Sequence, residues 1–294
     1  MGSAINKIVA EAIEKLSEIS GTPRLDAEIL LARVLKKPRE YILVHPEKKL
    51  RESQIADYGI LTAQRAVSKP LAYILGYKEF YGLDFKVTRD TLIPRPETEL
   101  LAEEALKSIQ NAKRKMPIVI IDVGTGSGNI IISIAKNIAD SKFFGVDISS
   151  KALGIARQNA KKHNVAKKIK FIKSDLLKYF IDHCSLFTGH CIIIANLPYL
   201  SKKIYSQTMP DVKKYEPKSA LYAGTDGLDY YKKLLKQIKR LQNSCFMLHA
   251  SCFIEFSSEQ KNKIEKNILK YFPEASLKFK KDLARKWRLV SFEI

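Results

Sequence analysis

Four short groups of residues have the types and spacing to do chemistry. Gly124-Thr125-Gly126-Ser127-Gly128 directly follows the apolar run Ile118–Val123. Glycines there remove the side chains that would hold a ligand away from the backbone. Asp147 closes a second apolar run, Phe143–Val146, and a carboxylate at that point can accept hydrogen bonds from both hydroxyls of a ribose. After a third run, Ile169–Ile172, comes Ser174-Asp175-Leu176. Its acid can accept from an exocyclic amine, and Leu176 can cover the face of a base. The fourth run, Cys191–Ala195, ends in Asn196-Leu197-Pro198-Tyr199. This tetrad suits a planar nitrogen whose lone pair is delocalised and which stays unreactive until it is gripped. Asn196 offers its side-chain carbonyl to one N–H. The main-chain carbonyl of Leu197, made to project by the rigid Pro198, takes the other, and Tyr199 supplies a ring face. Positioning of this kind can contribute about 7–11 kcal/mol, so no His or Cys nucleophile is required.

These groups sit at the ends of short apolar runs separated by amphipathic stretches such as Asn129–Asn137, Lys151–His163 and Gly227–Leu241. Solidly apolar runs are buried on both faces, so the alternation predicts an α/β fold with a doubly wound, mostly parallel sheet. Ala275–Lys280 and Trp287–Phe292 read as a terminal strand pair forming an antiparallel C-terminal edge. In such sheets ligands bind at the carboxyl ends of the strands. Gly124 to Gly128, Asp147, Asp175 and Leu176 then form, in order, a nucleoside-thioether pocket of the S-adenosylmethionine type, with Asn196 at its rim. The arrangement resembles class I methyltransferases. NAD is the alternative cofactor, disfavoured because the glycines run G-x-G-x-G rather than G-x-G-x-x-G.

Ahead of this region, Ile5, Ile8, Val9, Ala12, Ile13, Leu16 and Ile19 recur at helical spacing, and three more helical stretches follow as far as Val67. A Gly-centred aromatic segment, Glu79–Val87, reads as a β-hairpin. The expected organisation is a helical domain (1–70), a β-hairpin connector (71–92) and a catalytic domain (93–294). The formal charge is +20, and only 12 basic against 9 acidic residues precede position 71, so nearly all the excess lies beyond it. That charge fits RNA, the ribosome or an acidic protein as partner, and equally a lysine-rich composition as such. The four cysteines form no C-x-x-C pair and suit no metal site. With no apolar leader and no stretch long enough to span a bilayer, the expectation is a cytoplasmic protein without membrane contact.

Further segments narrow the resemblance. Pro70–Gly76, Glu79-Phe80-Tyr81-Gly82 and Ile93-Pro94-Arg95-Pro96-Glu97-Thr98-Glu99 look like those of the protein-(glutamine-N5) methyltransferases that modify peptide chain release factors. So do Asp26–Leu31, Glu216-Pro217, Gly224–Leu228, Glu255 and Gln260. The resemblance implies S-adenosylmethionine as cofactor and the glutamine of a release factor's Gly-Gly-Gln loop as substrate. It makes Asn196, Pro198 and Tyr199 catalytic, and Asn196 to Tyr199 the grip on the glutamine. Leu197 departs from the family's Pro, and Asn-Leu-Pro-Tyr resembles ribosomal-RNA adenine-N6 dimethyltransferases, which keeps an RNA adenine-N6 methyltransferase as the alternative. Lys202, Lys203, Lys213 and Lys214 flank the tetrad as candidates for partner contact. Trp287 is expected to pack the last strand pair, and His249 to lie in the core.

Overall fold

Ile5, Ile8, Val9, Ala12 and Leu16 are the buried stripe of helix α1 (Ile5–Leu16), as their spacing requires. The computed structural model describes residues 3–111, 118–183, 190–245 and 248–294. Two units divide the chain: Met1–Tyr77 with Met209–Tyr215, and Lys78–Thr208 with Glu216–Ile294.

In the first unit α1 is followed by α2 (Pro23–Leu35), α3 (Arg39–Val44), α4 (Glu52–Ala66) and α5 (Leu71–Leu75). Leu71–Leu75, placed by sequence at the start of the hairpin connector, is a helical turn closed by Gly76 at φ +82°. Ala27, Leu30, Leu31, Ile42 and Tyr58 complete the core begun by α1. Two acids of the Asp26–Leu31 segment are buried with partners. Asp26 accepts from Arg65 at 2.7 Å and from the Ser20 hydroxyl at 2.8 Å, and Glu28 accepts from Arg39 at 2.7 Å. Removing one member would strand a buried charge, which explains why acids occur in an otherwise apolar stretch. The later helix Pro210–Tyr215 belongs to this unit, and the Tyr215 hydroxyl donates to the Val67 carbonyl at 3.1 Å.

The second unit begins with the hairpin β1 (Tyr77–Phe80) and β2 (Leu83–Lys86), then a 3-10 turn (Pro96–Thr98) and α6 (Glu99–Asn111). From there β3 (Ile118–Val123), α7 (Asn129–Asn137), β4 (Ser141–Asp147), α8 (Ser150–Lys162), β5 (Ile169–Lys173), α9 (Lys178–Ile181) and β6 (His190–Ala195) alternate. After α10 (Lys202–Gln207), and following the first unit's α11 (Pro210–Tyr215) in the chain, come α12 (Asp229–Ser244), β7 (His249–Glu255), α13 (Lys261–Tyr271), β8 (Lys278–Lys281) and β9 (Trp287–Glu293). Among the described residues the sheet has seven strands in the order β5-β4-β3-β6-β7-β9-β8. The first five of that order pair in parallel, whereas β9 runs antiparallel to both β7 and β8. Val119, Ile121 and Val123 point into one apolar layer and Ile118 and Ile120 into the other, so β3 is buried on both faces. Strand order reverses between β3 and β6, which opens a crevice at their carboxyl ends.

Trp287 packs edge-on against Phe279 on the neighbouring strand. His249 is a correction: it is exposed, because it starts β7 and burial begins only at Ala250. Cys191, Cys245 and Cys252 are buried free thiols, and Cys184 lies outside the described residues. No helix among the described residues is long and apolar enough to cross a membrane.

Candidate active site

The crevice is a cavity of about 320 Å³ whose wall includes Gly124, Thr125, Gly126, Ser127, Asp147, Asp175, Leu176, Asn196, Leu197 and Pro198. Residues drawn from the ends of four strands thus meet at one place, within the size range of cofactor sites. Gly124 and Gly126 adopt φ +74° and +55°, so the loop turns where a side chain would be strained. The main-chain N–H groups of Gly124 and Thr125 donate to the Val146 carbonyl at 2.8 and 2.9 Å, which ties the loop to β4. Asp147 does more than its sequence position suggested. Its Oδ2 accepts from Gly126 N at 3.0 Å and its Oδ1 from Ser149 N at 2.8 Å, so it also braces the loop. Asp175 pairs with Lys233 on α12, and Leu176 sits at φ +53°, a strained backbone for a branched residue on a cavity wall.

Two expected site residues do not line the cavity. Gly128, at φ +80°, caps α7, and a Cβ there would meet Ile132 at 2.9 Å and Ala156 at 3.2 Å. Its smallness lets α7 and α8 pack closely. Tyr199 is half-buried, with its hydroxyl donating to Glu255 at 3.2 Å and its carbonyl accepting from Gln260 Nε2 at 2.8 Å. Burial beside the Glu255 charge pushes the Tyr199 hydroxyl upward, so it stays protonated.

Asn196 is held in one polarity. Its Nδ2 donates to the Thr98 hydroxyl oxygen at 3.0 Å, which leaves Oδ1 as the acceptor at the cavity. Leu197 N donates to the Tyr231 hydroxyl at 3.1 Å, a bond that proline could not make. Tyr231 spends its one proton on the Glu255 main-chain carbonyl, so the Leu197 carbonyl, 3.4 Å away, keeps its accepting capacity. The segments Ile93–Glu99 and Glu216-Pro217 meet in a clamp: Glu216 accepts from Ile93 N at 3.1 Å and from Arg95 at 2.5 Å. Arg95, Thr98 and Pro217 line the cavity as a result.

Residues 7–76 match the PrmC N-terminal domain family, and residues 115–272 match a methyltransferase domain family. A release factor glutamine methyltransferase of Clostridium botulinum is 36% identical over 92% of both chains. Another, from Coxiella burnetii, is 38% identical over 80% of this chain and 81% of its own. The chain belongs to the release factor glutamine methyltransferase family. The human Mettl16 catalytic domain, solved with MAT2A 3'UTR hairpin 1, is 13% identical with a TM-score of 0.54 over 89% of this chain and 90% of its own, which shows the fold alone.

Within this glutamine methyltransferase, sequence reasoning overlooked Asp122, Thr98 as an individual residue, and the part played by Glu255. The available signal was an acid inside an apolar strand, Ile118–Val123 for Asp122 and Cys252–Phe256 for Glu255, since such acids stay buried only with a task or a partner. Asp122 is wholly buried, accepts from the Thr125 hydroxyl at 2.6 Å, and burial pushes it up to about 7. Because the folded value is raised, the folded state keeps this proton longer than the unfolded chain. Its contribution to stability is therefore lost as pH rises from the ordinary carboxylate range through about 7. Asp122→Asn should gain stability relative to wild type as pH rises across that window. Thermal unfolding of both proteins between about pH 5 and pH 8 checks this, and parallel curves would refute it.

Proposed function

We propose that this protein transfers a methyl group from S-adenosylmethionine to the side-chain amide nitrogen of glutamine in the Gly-Gly-Gln loop of a peptide chain release factor. The observation that carries the reading is the polarity of Asn196, whose carbonyl end meets the cavity at the glycine loop. Left-handed glycines leave room for a flat ligand close to the backbone, so the residues present fit the cofactor. Gly124 to Ser127 would lie against it, Asp147 would take the ribose hydroxyls, and Asp175 with Leu176 would meet the base. When bound, the cofactor supplies an electrophilic methyl group. Asn196 Oδ1 accepts one amide N–H and the Leu197 carbonyl accepts the other, which fixes the plane of the amide and turns its nitrogen toward the cavity. Pro198 stiffens that grip, and Tyr199, anchored through its hydroxyl and its carbonyl, offers its ring face to the amide. Neither oxygen is basic enough to keep the displaced proton, which passes to solvent.

Residues 1–70 are proposed to hold the protein substrate, joined through 71–92 to the catalytic domain, 93–294. The match of residues 7–76 to the family's N-terminal domain supports this division. Exposed Lys202 and Lys203 beside the tetrad are proposed to meet the acidic partner, or RNA or the ribosome on which it works. A substrate from the translation machinery also argues for a cytoplasmic setting.

Isotopically labelled cofactor offered with a release factor, and separately with total RNA, tests the reading. Label on the Gly-Gly-Gln glutamine supports it, whereas label in RNA alone would replace it with adenine-N6 methylation. Asp147→Ala should weaken cofactor binding about 10–100-fold, since it removes a charged acceptor and the brace on Gly126. Calorimetric titration reads this, and an unchanged dissociation constant removes Asp147 from the ribose site.

A further inference from the structure

A carbonyl can aim a substrate amide only if its own backbone is held still. Leu197 is 3% exposed, so its N–H needs a partner inside the protein. That partner is the hydroxyl oxygen of Tyr231, 3.1 Å away on α12. Tyr231 is wholly buried, and burial keeps its hydroxyl protonated. The hydroxyl has one proton and two acceptors in reach. The Glu255 main-chain carbonyl is the closer and takes it, while the Leu197 carbonyl stands 3.4 Å off. One hydroxyl thus touches both main-chain polar atoms of Leu197 and ties them to the end of β7. The Leu197 side chain is seated too: its Cδ2 lies 2.8 Å from where a Cβ on Gly124 would stand, so it fills the space that this glycine leaves. The Tyr199 carbonyl is already engaged by Gln260, which leaves the Leu197 carbonyl as the acceptor that the turn can offer from its main chain.

We propose that Tyr231 is a positioning residue, whose hydroxyl receives the Leu197 N–H and thereby holds the Leu197 carbonyl in the direction that meets the substrate amide. This rests on the transfer reading above and deepens it, by naming what fixes the second anchor of the grip. The N–H and the carbonyl of Leu197 belong to the two peptide planes on either side of its Cα. A single oxygen in contact with both fixes how those planes are turned relative to each other. Without the hydroxyl, the N–H would be stranded in the core, and the backbone would turn at Leu197 to find another acceptor. The carbonyl would turn with it, while the side chain stayed seated on the cofactor loop. A proline at this position would need no such anchor, because it has no N–H and its ring locks φ. The Tyr231 hydroxyl therefore does for Leu197 by hydrogen bonding what a ring does covalently.

Full-length Tyr231→Phe, assayed well below its melting temperature, should lose about a hundredfold in kcat, the scale of a small misplacement of a gripping group. KM for the release factor and cofactor affinity should stay within about threefold of wild type. In a Leu197→Pro background the same change should cost less than about threefold, because no N–H remains to be stranded. A hydroxyl that served packing alone would cost the same in both backgrounds. A second readout needs no turnover. In protein carrying 15N-leucine, with Leu197→Met assigning the signal, the Leu197 amide should be protected from exchange and lose at least about tenfold of that protection in Tyr231→Phe. If Leu197→Pro is itself inactive, the turnover of Tyr231→Phe and the exchange of this amide carry the decision. A wild type that methylates no release factor would defeat the transfer reading, while the amide exchange still decides the anchor. The anchor itself is overturned by equal costs in the two backgrounds, by wild-type turnover in Tyr231→Phe, or by a Leu197 amide indifferent to that change.

Discussion

Asn196→Ala is expected to lower kcat for glutamine methylation by about 10²–10³-fold while cofactor affinity changes by no more than a few fold. The magnitude follows from what Ala deletes. Asn196 Oδ1 is the side-chain acceptor that the Asn196-Leu197-Pro198-Tyr199 turn presents at the cavity, since the Leu197 acceptor is main chain and the Tyr199 hydroxyl is engaged with Glu255. The amide would keep one of its two anchors, the Leu197 carbonyl, and rotate about it, so that its nitrogen spends most of the time out of line. Stability should fall little, because Asn196 is half-buried and the one bond lost within the protein is the 3.0 Å contact with Thr98. The cofactor loop is held by other atoms: Gly124 and Thr125 by the Val146 carbonyl, and Gly126 by Asp147. Steady-state kinetics with a release factor, paired with calorimetric titration of the cofactor, separates the two effects. Equal losses in kcat and in cofactor affinity would make Asn196 a part of the cofactor pocket and leave the grip unexplained.

The strands, the glycine turn and the order of strand ends were legible because they depend on local pattern. An apolar run buried on both faces, a glycine where φ must be positive and an acid at a strand end each leave a mark within a few residues. Gly124 and Asp147 therefore appear where expected, on the cavity wall. Thr98 and Glu255 do not announce themselves in that way, because their meaning depends on encounters between residues 98 positions apart for Thr98 and Asn196 and 56 for Glu255 and Tyr199. The sequence shows Glu255 as an acid in an apolar strand and Thr98 as one residue of a recurrent segment, and only the fold brings Thr98 to Asn196 and Glu255 to Tyr199. The same holds for Asp26, whose partner Arg65 lies two helices away. Gly128 carries a demand that its place in the G-x-G-x-G series does not reveal: its environment is a packing contact between α7 and α8. Composition says least: the +20 charge fits several partners and selects none.

Gly227→Ala is expected to be as damaging to turnover as many changes in the cavity, although Gly227 is not among the residues on its wall. The residue has φ +75°, where any other side chain except Asn is strained. A Cβ built there would lie 2.3 Å from the Tyr199 carbonyl oxygen, 2.5 Å from Gln260 Nε2 and 2.8 Å from Ser201 N. Two of those three atoms are backbone of the turn that carries the grip, and the third is the side chain that holds this turn by donating to Tyr199 O and Asp226 O. None can yield alone. Relief requires Gln260 to release both carbonyls, or the Asn196–Tyr199 turn to shift by roughly the 1 Å that a normal contact demands. A shift of that size costs about a hundredfold in kcat, and strain with overpacking costs about 2–4 kcal/mol of stability. Cofactor affinity should hold, because Gly126 and Asp147 are braced on β4, two strands from the disturbed turn. Gly224→Ala is the control. It carries a similar φ of +84°, but the three atoms nearest its new methyl all belong to the Asp229 carboxylate, an exposed side chain at the start of α12 that can swing into solvent. Both variants should therefore melt earlier than wild type, and Gly227→Ala alone should lose turnover out of proportion to its stability. If the two lose kcat equally, strain at positive φ accounts for the effect and the Gly227–Tyr199 contact has no bearing on catalysis.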